Sequence, residues 1–171
     1  MLARVRACCF LLAIVVLVSG CAYTVGPVNG VIAKDRSVQV VPFANQTLEP
    51  HLTDELTSQL RKSLQQDGTY RLATHGDGDI VVSGTIIGYD RLELNFASTD
   101  TLTVRDFRIS LRARVTARDR GSGKVQIDKP VGGFTLVRVG ADLASSERQA
   151  LPLLAADLAN NITALLVEGS W

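Results

Sequence analysis

The sequence predicts an α+β fold, a two-layer sandwich in which a mixed sheet of about four to five strands carries two amphipathic helices on one face. Three patterns lead there. Leu52, Leu56, Leu60 and Leu64 recur every four residues, with Asp54, Arg61, Lys62 and Gln65 on the other sides, as on a helix lying against a core. From Phe107 to Asp119 the alternation has the period of a strand: Phe107, Ile109, Leu111, Ala113, Val115 and Ala117 share one face. Arg108, Ser110, Arg112, Arg114, Thr116 and Arg118 share the other. A second helical stripe, Leu151, Leu154, Leu158, Ile162 and Leu165, closes the chain.

The elements follow in order. Arg36 to Phe43 is a short β-rich run with Val38, Val40 and Val41, ended by Pro42. Pro50, a residue suited to a first turn, starts the leucine helix and Gly68 ends it. Thr69 to Thr74 reads as a short strand. The turn His75-Gly76-Asp77-Gly78-Asp79 lacks the further oxygen ligands of a calcium loop. Asp79 to Tyr89 is a strand, with Gly84 and Gly88 placed to let a helix approach. Gly121 to Lys124 is a hairpin turn, without phosphate-loop spacing, into a strand from Val125 to Val137. The last helix runs from about Ser145 to Val167, with Ser145 or Ser146 as its cap and Gly169 as its end. Pro152 predicts a kink or a late start.

Before these elements stands a leader. Arg4 and Arg6 precede an apolar run from Ala7 to Val18, too short for a bilayer core of about 20 residues. Leu17-Val18-Ser19-Gly20-Cys21 then looks like a lipobox, with cleavage before Cys21 and acylation of that cysteine. The expected organisation is a cleaved signal peptide over 1–20, an acylated extended tether over 21–35 and a single sandwich domain over 36–171. Several acyl chains anchor a protein stably where one does not. Ala22, rather than an aspartate, follows the cysteine and favours the outer membrane.

Composition narrows the function. A mature chain of 151 residues buries about 68–70% of its unfolded surface, enough for a real core. Without Arg4 and Arg6 it keeps 16 basic against 17 acidic side chains, so no basic field points to nucleic acid. Cys8 and Cys9 leave with the leader and acylation consumes Cys21, so no disulfide or thiolate metal site is expected. His51 and His75 are the only histidines, and no Gly-x-Ser-x-Gly elbow or metal-ligand spacing occurs. The chain reads as a non-enzyme with no metal and no cofactor beyond the lipid on Cys21.

Two surfaces are candidates for binding. Arg108, Arg112, Arg114 and Arg118 line one face of one strand over roughly 33 Å. The row is either a solvated sheet face, with Asp128 as one counter-charge, or a contact for phosphate groups, which arginine forks fit. Leu92, Leu94, Phe96, Leu102 and Val104 share even parity, whereas beyond Asp106 the even positions are cationic. A bulge near Arg105 returns these five to the core; otherwise 91–105 projects as a hairpin with an apolar face for a partner.

The chain resembles a known family at several places. Cys21-Ala22-Tyr23-Thr24-Val25-Gly26, then Val41-Pro42-Phe43-Ala44-Asn45-Gln46-Thr47 running into Pro50, are similar to the LPS-assembly lipoprotein LptE family. So are Val115-Thr116-Ala117-Arg118-Asp119-Arg120 with Gly123-Lys124-Val125, and Glu147-Arg148-Gln149-Ala150. The resemblance implies an outer-membrane lipoprotein that plugs the β-barrel LptD and helps pass lipopolysaccharide to the cell surface, and it makes lipopolysaccharide the candidate source of phosphates for Arg108, Arg112, Arg114 and Arg118. Pro-Phe-x-Asn-x-Thr before a helix also occurs in other envelope lipoproteins. A secretion-channel subunit or a peptidoglycan-synthase activator is therefore the alternative.

Overall fold

The leucine stripe and the odd-numbered row of 107–117 meet in one core. The computed structural model describes residues 36–97, 100–139 and 142–168, with side chains given outside 95–105. The leader, Cys21 and the tether over 21–35 lie outside the described residues. In order come β1 (Ser37–Val40), β2 (Ala44–Asn45), α1 (Leu52–Asp67), β3 (Arg71–Leu72) and β4 (Ile80–Ala97). β5 (Asp100–Asp119), β6 (Val125–Arg138) and α2 (Leu143–Glu168) follow. The sheet order is β3-β1-β4-β5-β6, with β2 also beside β4. β1 runs parallel to β3 and β4, and β2 parallel to β4, while β4–β5 and β5–β6 are antiparallel.

This is the expected mixed sheet with two helices on one face. The additional strand is β2: Pro42 stops β1, and the chain rejoins the sheet for two residues before turning into α1. Leu52, Leu56, Leu60 and Leu64 are buried, as are Leu154, Leu158 and Ile162 of α2 and the odd residues of β5 from Phe107 to Ala117. Between the helices, the Ser63 hydroxyl donates to Asn160 at 2.9 Å, and the Tyr70 hydroxyl donates to the Leu166 carbonyl at 3.1 Å. α2 has the length and apolarity to cross a bilayer, but its buried side chains serve as the core of this domain.

Several local expectations are corrected. α1 begins at Leu52 after His51, which adopts a left-handed conformation at φ 64°. α2 begins two residues early, at Leu143, and runs through Pro152, so the proline does not delay its start. Its cap is Asp142 rather than a serine: the Ser145 N–H donates to the Asp142 carboxylate at 2.7 Å. Neither Gly84 nor Gly88 admits a helix. A Cβ on Gly84 would sit 2.5 Å from the Phe43 ring, so that glycine makes room for Phe43 in the core. The glycine that receives α2 is Gly133, where a Cβ would lie 2.6 Å from the Leu158 backbone.

Gly88 was displaced by a bulge. Ile86 pairs with Ala113 and Gly88 with Arg112, leaving Ile87 over. One extra residue exchanges the two faces of a strand. Before it, the even residues Ile80, Val82 and Ile86 point to the helices. After it, Tyr89 and Arg91 pair with the core-facing Leu111 and Ile109, and Leu92 pairs with Arg108 on the opposite side.

Candidate functional site: the helix-free face of the sheet

The arginine row stands where its alternation predicts, on the sheet face away from the helices, but it is largely neutralised by neighbours. Arg112 donates to Asp90 of β4 at 2.9 Å. Arg114 makes a fork with Asp128 of β6, at 2.8 Å through Nε and 3.1 Å through Nη2. That fork holds the Asp128 carboxyl below its usual value and raises the Arg114 guanidinium, the hydrogen bond being the larger cause in both. Arg118 donates to the Gly123 carbonyl in the hairpin turn at 2.8 Å. Arg108 differs. Its guanidinium lies 4.7 Å from the centre of the Phe134 ring, a cation–π contact, and no carboxylate is described beside it.

Around Arg108 the face is apolar. Register places Leu92 of β4, Arg108 of β5 and Leu136 of β6 in one line across three strands, with Phe134 one pair away opposite Ser110. Leu92, Phe134 and Leu136 are 58%, 51% and 62% exposed. Leu94 is exposed as well. The register also slips at Leu94 on β4 and at Arg105 on β5, without burying Leu92 or Leu94. The Phe96 and Val104 backbones pair beyond the slip; the side chains of Phe96, Leu102 and Val104 lie outside those described.

Sequence reasoning missed a cluster on the helix side of the same strand. Arg91 stacks over Tyr89 at 5.2 Å, pairs with Glu147 at the start of α2, and approaches Glu49 at 3.6 Å. Glu147 raises the Arg91 pKa, and burial pushes the Tyr89 hydroxyl up to about 12. The available signal was the parity of the apolar residues, which changes between Ile86 and Tyr89. Phe134 and Leu136 were also missed, because β6 alternates only weakly in sequence.

The chain is thus a two-layer α+β domain that covers one sheet face with helices and leaves on the other an exposed apolar patch around Arg108. The chain belongs to the LptE lipopolysaccharide-assembly family, whose sequence profile matches residues 36–166. Among solved structures, it is similar to a hypothetical protein from Chlamydia trachomatis at 13% identity, covering 78% of this chain and 96% of that one with a TM-score of 0.58. A protein from Xanthomonas campestris matches at 8% identity, 84% and 90% coverage and a TM-score of 0.59. A candidate lipoprotein from Caulobacter crescentus matches at 10%, 73% and 87%, with 0.50. At such identities these likenesses show a shared fold. No curated protein matches the sequence.

Proposed function

We propose that the chain is an outer-membrane lipoprotein, anchored through Cys21 on the periplasmic side, that plugs and supports the β-barrel LptD and assists lipopolysaccharide assembly at the cell surface. Family membership supports the pathway, and the leader sequence supports the anchor. One observation carries the choice of surface: Leu92, Arg108, Phe134 and Leu136 form an exposed apolar patch around a cation, continuous across three strands. An amphiphile with phosphates on an acylated core matches that pairing of chemistries. Within the arginine row, Arg108 is the better phosphate ligand, since Arg112 and Arg114 already hold carboxylates. The role is one of binding and support, without catalysis.

The test is a pull-down of the tagged chain from detergent-solubilised envelopes. LptD is expected with the wild type, and less of it with Phe134→Asp or Leu136→Asp at an unchanged melting temperature. Recovery of a cell-wall enzyme or a self-assembled ring would instead favour the peptidoglycan-synthase activator or the secretion-channel subunit. Lipopolysaccharide binding is expected to fall more for Arg108→Ala than for Arg112→Ala/Arg114→Ala, at low and high salt alike. Equal binding by all three chains would remove the phosphate role. Cys21→Ser is expected to leave the protein out of the membrane fraction.

A further inference from the structure

The two edges of the sheet are finished differently. An edge strand offers unpaired backbone groups to any extended chain that meets it, and native edges are usually blocked. β6 is blocked three times over by side chains. Pro130 has no N–H to offer, the Phe134 N–H donates to Asp157 of α2 at 2.9 Å, and the Asn161 amide of α2 donates to the Gly132 carbonyl at 2.9 Å. The opposite side of β4 is covered only in its first half. β1 pairs as far as Val82 and β2 as far as Ile86, with one further bond from the Gln46 N–H to the Ile86 carbonyl. Past that point no strand among the described residues pairs with this side of β4. Asp90, Arg91, Leu92, Glu93 and Leu94 are all exposed there.

This stretch is complementary to itself. Laid antiparallel about Leu92, it sets Arg91 opposite Glu93 of a second copy, twice, and Leu92 opposite Leu92. Opposite charges and apolar pairs directly across a strand pair are favourable. Arg91 is already held in place by Glu147 and Glu49, and Leu48, next to Glu49 in the chain, is a fully exposed apolar side chain. We infer that the distal edge of β4 is a docking site for a second copy of this chain, joined antiparallel about Leu92 to continue the sheet across a two-fold axis. The inference concerns the chain by itself and does not rest on its proposed role.

The geometry makes the test selective. Residues directly opposite in an antiparallel pair have Cα atoms about 4.5–5.5 Å apart, inside the range of about 4.4–6.8 Å that a disulfide spans. Two copies of residue 94 would be four positions out of register, about 13 Å apart. The full chain is expressed as Leu92→Cys, Leu94→Cys or Leu136→Cys, and membranes are oxidised and run on non-reducing gels against wild type. Leu92→Cys is expected to give a reducible dimer, reduced several-fold when Glu93→Arg is added. Leu94→Cys and Leu136→Cys are expected to stay at the wild-type level. Co-expressed Asp90→Cys and Leu94→Cys chains, carrying different tags, are expected to give a mixed dimer. Melting curves confirm that each variant folds. A monomeric Leu92→Cys chain, equal dimer from Leu94→Cys, or dimer from Leu136→Cys alone would overturn the inference. So would Leu92→Cys linked to a different protein, which would give the edge to a foreign strand.

Discussion

β4 and β5 lie side by side for most of their length, yet their two ends have different surroundings. At the proximal end, Ile80 to Ile86 has β1 and β2 on one side and β5 on the other, with helices over its even residues. Polar groups there are tied down. Asp79 accepts from the Ser37 N–H at 2.8 Å and from its hydroxyl at 2.7 Å, Arg36 pairs with Asp119 at 2.5 Å, and Asp119 accepts from the Ser122 N–H at 2.8 Å. At the distal end, beyond the bulge at Ile87, β4 has a neighbour on one side among the described residues, and Leu92 and Leu94 are exposed. The proximal half holds the domain together. The distal half keeps apolar surface that folding does not consume, and both the proposed lipid-facing patch and the inferred edge contact lie there.

That division predicts a large difference in stability between two leucines. Leu158 of α2 is fully buried against the sheet, so Leu158→Ala is expected to cost about 2–5 kcal/mol, from lost transfer energy and the remaining cavity. Leu136, on the helix-free face, is expected to tolerate alanine within about 0.5 kcal/mol. Urea melts of both variants measure it. A destabilisation by Leu136→Ala comparable to that by Leu158→Ala would mean that the outer face belongs to the core.

A smaller effect separates the two faces at adjacent residues. Gly133 faces α2, where an added methyl meets the Leu158 backbone, which cannot swing away as a side-chain end can. Gly133→Ala is therefore expected to destabilise by about 1–3 kcal/mol. Gly132 faces outward, its nearest described neighbour 3.8 Å from the added atom, an ordinary contact. Gly132→Ala is expected to stay within about 0.5 kcal/mol of wild type. Equal losses in chemical denaturation would show that α2 does not rest on Gly133.

The same division explains what could be read from the sequence. Both leucine-rich helices and β5 from Phe107 onward were legible, because each repeats one period long enough to state which face is buried; its first residues, from Asp100, were not read as strand. β4 was legible only to Tyr89, since the bulge at Ile87 and the slips near Leu94 and Arg105 interrupt the alternation on which a strand is recognised. β2 is two residues long and has no pattern to find. The arginine row was placed by parity, and Asp128 was foreseeable as a counter-charge. Asp90 was not, because it reaches Arg112 only through the register of β4 on β5. The Leu92–Arg108–Leu136 line is likewise a product of register across three strands, which no single stretch of sequence contains.

The smallest effect expected is a loosening of the proximal end in acid. Asp79 and Asp119 both titrate below the ordinary carboxylate value of 3.8. For Asp79 the chief cause is the backbone hydrogen bond from Ser37, and for Asp119 that from Ser122. A folded-state pKa below the unfolded one means that the folded protein binds its proton later. Such a group stabilises the fold above the unfolded value, and that contribution disappears as pH falls through the folded one. The window therefore opens below about pH 4, and stability at neutral pH is unaffected. Asp79 is exposed and Asp119 half-buried at the surface, so water screens much of the interaction and the loss of global stability is slight. Its location is more informative than its size. As the carboxylates protonate, the Ser37 and Ser122 amides lose their acceptors, so their hydrogen-exchange protection is expected to fall as the pH drops below about 4. Over the same range, amides of the β4–β5 ladder such as Val82 and Ala113 should keep theirs. Uniform loss of protection across all four would mean that acid unfolds the domain as a unit, and that the proximal end is not pinned by Asp79 and Asp119.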